Sequence, residues 1–215
     1  MTLSRNALAL SMTLFALVSG CRGGDKGDPV AVTTTQVSTS TSTSTTATGP
    51  QAELTAASRV RLDGIGPVVM LMTLAEASEA VGRTVAVVPE SLINQDDTDS
   101  CGFADVQGGP DGLGFMVNRD GPADPWRIVR LDVSGKTVTG AGVGVGSTED
   151  ELKAAYGDKI RTEPHHYTAD EGGHYVILDV DGPGGMRLLF ETDGTRVETY
   201  RSGLESAVDA VEGCL

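Results

Sequence analysis

The chain has 215 residues, with 16 Lys and Arg against 30 Asp and Glu, a formal net charge of −14 and only 4% aromatic residues. An acid surplus of this size excludes the clustered cations that phosphate neutralisation needs, and scarce aromatics exclude a base-stacking platform, so no nucleic-acid partner is expected. The length is enough for one domain, simple or duplicated, with a genuine core.

Residues 1–20 do not read as fold. Arg5 is a short basic start, and Ala7 to Val18 is an apolar run broken only by Ser11 and Thr13. A dozen residues fall short of the roughly 20 that a membrane-spanning helix needs, and they match the core of a signal peptide. The run ends in Val18-Ser19-Gly20-Cys21. This resembles the lipobox of bacterial lipoproteins: an aliphatic residue, two small residues, then cysteine. The resemblance implies a diacylglycerol thioether on Cys21, cleavage after Gly20, and anchoring to the bacterial cell membrane. If the host has two membranes, Arg22 after the cysteine resembles the pattern for export to the outer one.

Residues 21–58 read as a tether. Thirteen of the sixteen residues from Thr33 to Thr48 are Ser or Thr, a composition with almost nothing to bury. The globular domain is expected over 59–215.

Within that domain two stretches echo each other. Thr73-x-x-Glu76 leading to Gly82 and Thr148-x-x-Glu151 leading to Gly157 stand 75 residues apart. Each is a capping box followed by a glycine stop, which predicts two short helices. Their apolar faces are Leu74, Ala77 and Val81, and Leu152, Ala155 and Tyr156. A strand and an Asp-Gly turn follow each helix: Gly114 to Val117 with Asp120-Gly121, and Arg187 to Phe190 with Asp193-Gly194. The expected return strands are Val129 to Val133, alternating strictly, and Arg196 to Tyr200. Tyr175 to Val180 is a further strand, with Cys101 to Val106 in the corresponding place of the first copy. The predicted fold is α+β, in two tandem copies of about 64–135 and 140–203, with helices on one face of an antiparallel sheet.

A helix followed by antiparallel strands, twice over, resembles the tandem-repeat β-lactamase-inhibitor-protein family and the small lipoproteins of the outer-membrane assembly machinery. Gly64-Ile65-Gly66-Pro67-Val68, Met72 to Ala77 and the ending Glu212-Gly213-Cys214 are similar to uncharacterised envelope lipoproteins of high-GC bacteria. Where such relatives have Gly before Met-Thr, this chain has Leu71. The motifs that carry the likeness are caps and turns, which imply a fold and no chemistry.

With Cys21 lipidated, Cys101 and Cys214 remain in a compartment where disulfides persist, and a bridge between them is expected. No Cys-x-x-Cys is present, so the bridge reads as structural. The histidines His165, His166 and His174 fall in one stretch; a metal site there would pair His166 with His174 across the Glu171-Gly172-Gly173 turn, with Asp170 or Glu171. Neighbouring His165 and His166 on an extended segment would face opposite ways, and the better-supported reading is polar loop residues and strand starts. Asp179-Val180-Asp181-Gly182 has the sixth-place glycine of a calcium loop, Gly184, but Phe190 stands where its bidentate acid belongs. Asp96, Asp97 and Asp99 read as a solvated acidic loop. Glycine at every second place from Gly140 to Gly146 is not a phosphate-binding spacing. No metal, cofactor or catalytic group is therefore assigned.

The first hairpin carries five more residues than the second, including Pro122, Pro125 and the only tryptophan, Trp126. Trp126 is the candidate partner contact, against the alternative that it folds back over a core edge. The expected function is a non-enzymatic, lipid-anchored envelope protein that binds a protein partner. The alternatives are an inhibitor-like module against a secreted hydrolase, using the exposed sheet face with the Trp126 loop, and a metal-dependent hydrolase using His166 and His174.

Overall fold

A computed structural model describes residues 53–94, 99–180 and 185–214, with backbone alone for Asp179 and Val180. Cys21, the signal segment, most of the tether, Asp96, Asp97 and residues 181–184 lie outside the described residues.

The chain is α+β. A four-stranded sheet is formed by β1 (Arg59–Arg61), β2 (Gly64–Ile65), β3 (Val68–Val69) and β8 (Val138–Thr139), in the order β3-β2-β1-β8. Gly64 is required there, since a Cβ would stand 2.0 Å from the Val68 carbonyl oxygen. The main sheet has eight strands: β4 (Val85–Val87), β5 (Cys101–Val106), β6 (Leu113–Asn118), β7 (Arg127–Val133), β9 (Ile160–Pro164), β10 (His174–Val180), β11 (Met186–Thr192) and β12 (Val197–Leu204). Their order is β4-β5-β6-β7-β12-β11-β10-β9, antiparallel throughout. Read outward from the β7–β12 junction, the two halves follow the same hairpin path.

The inner face of this sheet meets α1 (Leu74–Val81), α2 (Glu149–Tyr156) and the small sheet in one core, whose largest wholly buried side chains are Tyr200, Phe115 and Phe190. Burial on this scale is the main favourable term in folding. Thr73 Oγ1 accepts the Glu76 N–H and Glu76 Oε2 accepts the Thr73 N–H; Thr148 and Glu151 repeat both bonds. The bond from the Thr73 backbone holds the Glu76 carboxyl below its usual range. Ala155, expected on the packed face of α2, is exposed instead. The helix rolls toward Tyr156, whose hydroxyl bonds Thr139 Oγ1 at 2.9 Å and whose ring meets Phe190.

Three further features differ from the sequence reading. The domain begins earlier than 59, because Leu54 is 1% exposed in the core and Arg83 pairs with Glu53. Val129 does not alternate inward with Leu131 and Val133. A bulge between Met116 and Val117 pairs Met116 with Arg130 and Val117 with Ile128, so Ile128 takes the inner place and Val129 joins Met116 on the outer face. Helices also do not all lie on one face: the short α3 (Glu205–Val208) packs on the outer side, with Ala207 beside Met116 and Val129.

Leu71 has φ +69, the one left-handed non-glycine among the described residues, and Gly146, 75 positions on, has φ +86. A left-handed backbone costs an L-residue about 1–2 kcal/mol, partly offset in the glycine variant by its larger unfolded-state entropy. Leu71→Gly is therefore expected to raise unfolding stability by about 0.5–1 kcal/mol in urea titration, since the side chain is half exposed.

Candidate functional site

The outer face of the main sheet is half covered, and the covering is specific. Strand alternation sends Arg130, Arg187 and Arg201 to this face, and all three are buried beneath α3 and the tail that follows it. Arg130 Nη1 donates to the carbonyls of Ala207 at 2.8 Å and Ala210 at 3.0 Å. Arg201 Nε donates to the Val208 carbonyl at 2.6 Å, and Arg187 pairs with Glu205 and Asp209. A four-residue helix leaves its last carbonyls without partners in the helix, and guanidinium groups from the sheet satisfy them. The Cys101–Cys214 disulfide, Cα to Cα 5.4 Å, fastens the end of the same tail to β5.

Beside this strap the sheet is open among the described residues. A groove of about 670 Å³ runs over β5, β6, β7 and β12, with Asp105, Gly114, Asp132, Thr199 and Arg201 along it and Asp111 at its rim. Register explains the row. Gly114 pairs with Asp132 and Asp132 with Arg201, while Asp105 follows Ala104, the partner of Phe115. Arg130 Nε meets Asp132 at 2.9 Å. Burial pushes the Asp132 carboxyl above the usual carboxylate range, against the pull of Arg130. Glu191 receives Arg201 Nη1 and the Thr199 hydroxyl, and His165 Nε2 stands 3.7 Å from it. Arg201 Nη2 and the Tyr175 hydroxyl are buried without a hydrogen-bond partner among the described residues.

Trp126 is partly buried against the inner core, with the Arg119 guanidinium 4.3 Å over its ring. Its carbonyl accepts the Leu74 N–H at the start of α1. The loop follows the Asn118 end of β6, whereas the groove lies at the Leu113 end, about 17 Å away at strand rise. The groove and the Trp126 loop therefore lie toward opposite ends of β6.

The histidines disperse. His174 Nδ1 is 2.9 Å from Glu149 Oε1, which also accepts the Thr192 hydroxyl at 2.5 Å, on the inner side. His165 Nδ1 accepts the N–H groups of Tyr167 and Thr168, and its ring packs on Tyr175. His166 meets the Tyr167 ring edge-on. Among the described residues no three His, Cys, Asp or Glu side chains stand together as metal ligands. The Asp99 carboxylate is taken by the Asn94 backbone and side-chain N–H groups, each at 3.1 Å.

Sequence reading missed the groove because its residues are scattered over four strands. The visible signals were Arg130 and Asp132 on the outward places of β7 and a glycine inside β6. No family model matches the chain. No curated protein and no solved structure matches it either.

Proposed function

We propose that this chain is a non-enzymatic, lipid-anchored extracytoplasmic envelope protein that binds a protein partner through the open half of its outer sheet face. The observation that carries the binding role is the groove: a concave, charged stretch of sheet left uncovered beside a tail that is pinned by three buried arginines and a disulfide. A sheet face so heavily engineered on one half and bare on the other fits an interaction surface.

Anchoring rests on the sequence from Arg5 to Cys21. Among the described residues no helix is long and apolar enough to cross a membrane. Acyl chains on Cys21 would hold the domain, two being needed because each buried CH₂ contributes only about 0.8 kcal/mol.

The domain is a tandem duplication in this reading. Helix starts at 74 and 149, β5 and β10 starts at 101 and 174, and β6 and β11 starts at 113 and 186 support it. So do the left-handed positions 71 and 146 and the mirrored strand path. The resemblance to tandem-repeat inhibitor proteins belongs with this reading and brings no target with it.

Labelling cells with a radioactive fatty acid is expected to mark the wild-type protein and leave Cys21→Ala unmarked; label in neither would overturn the anchor. For the partner, a photoactivatable residue at Ser134, exposed on the groove wall, is expected to give one discrete covalent adduct in living cells. No adduct from Ser134, with adducts from a site on the α1 surface, would remove the groove as the binding face.

A further inference from the structure

The open groove is bounded by carboxylates, and its centre is a glycine that the backbone does not require. Gly114 does not occupy the left-handed region, and an added Cβ would reach nothing nearer than Asp105 Oδ1 at 3.4 Å, an ordinary contact. A glycine inside a central strand weakens it and marks a place where another group comes close to the backbone. Here the missing side chain leaves a notch with Asp105 on one side and Asp132 on the other.

Charge decides what fits. Asp105 and Asp111 are exposed on the groove and form no ion pair among the described residues. Asp132 is held by Arg130 through Nε alone, and its side chain remains 34% exposed. Among the described residues Arg201 is the one basic residue lining the groove, and it is buried, with Nε and Nη1 turned to Val208 and Glu191 and Nη2 enclosed away from the groove surface without a hydrogen-bond partner. The charge presented outward is therefore negative, which repels phosphates and anionic headgroups and attracts cations.

The geometry points to a docking site for a basic side chain, a lysine or arginine of the protein partner, whose cation enters the Gly114 notch between Asp105 and Asp132. The inference rests on the partner reading above and gives it a chemistry. A guanidinium suits the notch well, because its planar fork can meet two carboxylates at once while its aliphatic stem lies along the glycine backbone. Arginine is also among the residues that most often anchor interfaces.

The test uses the full chain carrying Cys21→Ser, followed by amide resonances during titration with acetyl-Gly-Arg-Gly-Arg-Gly-amide and with its glutamate counterpart. The arginine peptide is expected to move the resonances of residues 105, 114 and 132, and the glutamate peptide is not. Asp105→Asn, an exposed change, should weaken binding roughly threefold, and Asp105→Asn with Asp132→Asn roughly tenfold. Raising salt from about 50 to about 300 mM should weaken it as well. Gly114→Leu should abolish the shifts with the fold retained. Equal response to both peptides, shifts spread outside the groove, or binding unchanged in Asp105→Asn would overturn the proposal. So would calcium alone moving the same resonances more strongly than the peptide.

The cellular adduct separates the two readings. An adduct at Ser134 that persists undiminished in the double Asn variant keeps the partner and removes the cation. No adduct, with peptide binding intact, keeps the cationic notch and removes the partner.

Discussion

Replacing Cys101 and Cys214 by serine is expected to lower unfolding stability by about 4–5 kcal/mol, the loop-closure value for a closed loop of 113 residues. Guanidinium titration of the full chain, with Cys21→Ser in both proteins, measures it. The variant should show an earlier midpoint and, at low denaturant, lose amide protection first in residues 205–214. That order follows from the architecture. The bridge fixes the tail to β5, and the tail packs Ala207 and Cys214 into one outer-face cluster with Met116 and Val129. A stability loss below about 1 kcal/mol would show that the arginine contacts alone hold the tail in place.

Arg130→Ala is the second large effect, with an expected loss of about 3–5 kcal/mol. The guanidinium is 6% exposed and bonds two carbonyls of the tail and the Asp132 carboxylate. Removing it leaves the two tail carbonyls without their donor and the partly exposed Asp132 carboxylate without its nearest cation. It also removes the pull that opposes burial at Asp132, so that carboxyl rises further above its usual range. The sign follows from linkage. A raised folded-state pKa gives stability that is fully present below the unfolded pKa and lost as pH rises through the folded one. The Arg130→Ala deficit is therefore larger at about pH 7 than at about pH 4, the reverse of ordinary acid denaturation. A deficit that grows on acidification would contradict this account of the Asp132 environment. Arg130→Ala and the cysteine pair both release the same tail, so their losses should combine to less than their sum.

The elements were legible where local chemistry specifies them. Thr73 with Glu76 and Thr148 with Glu151 satisfy orphaned helix N–H groups through near neighbours, and such bonds need no tertiary context. Asp193-Gly194 is local in the same way. The Asp193 carboxylate accepts the N–H groups of Arg196 and Thr195, which hold it below the usual range. Strict alternation failed at Val129 because a bulge is a relation between two strands, and β7 alone carries no mark of the register slip opposite Met116. The small sheet was not legible, since β2 and β3 are two residues each and exist only by pairing with β1 and packing on the core.

The groove shows the same division. Gly114, Asp132 and Arg201 lie 87 residues apart from first to last in the chain, and strand register puts them in one row. Nothing in their local sequence announces that meeting. Which half of the outer face stays open is likewise decided by where the tail docks, through Arg130, Arg187 and Arg201 reaching carbonyls and carboxylates of residues 205–210.

By itself the sequence determined the two capped helices, most of the main-sheet strands and the acid surplus, because each depends on composition or on neighbours a few residues apart. Only the tertiary structure decided which face of the sheet is closed and which is grooved, because long-range pairing sets that choice: β7 against β12, a tail across the outer face, and a glycine brought between two aspartates.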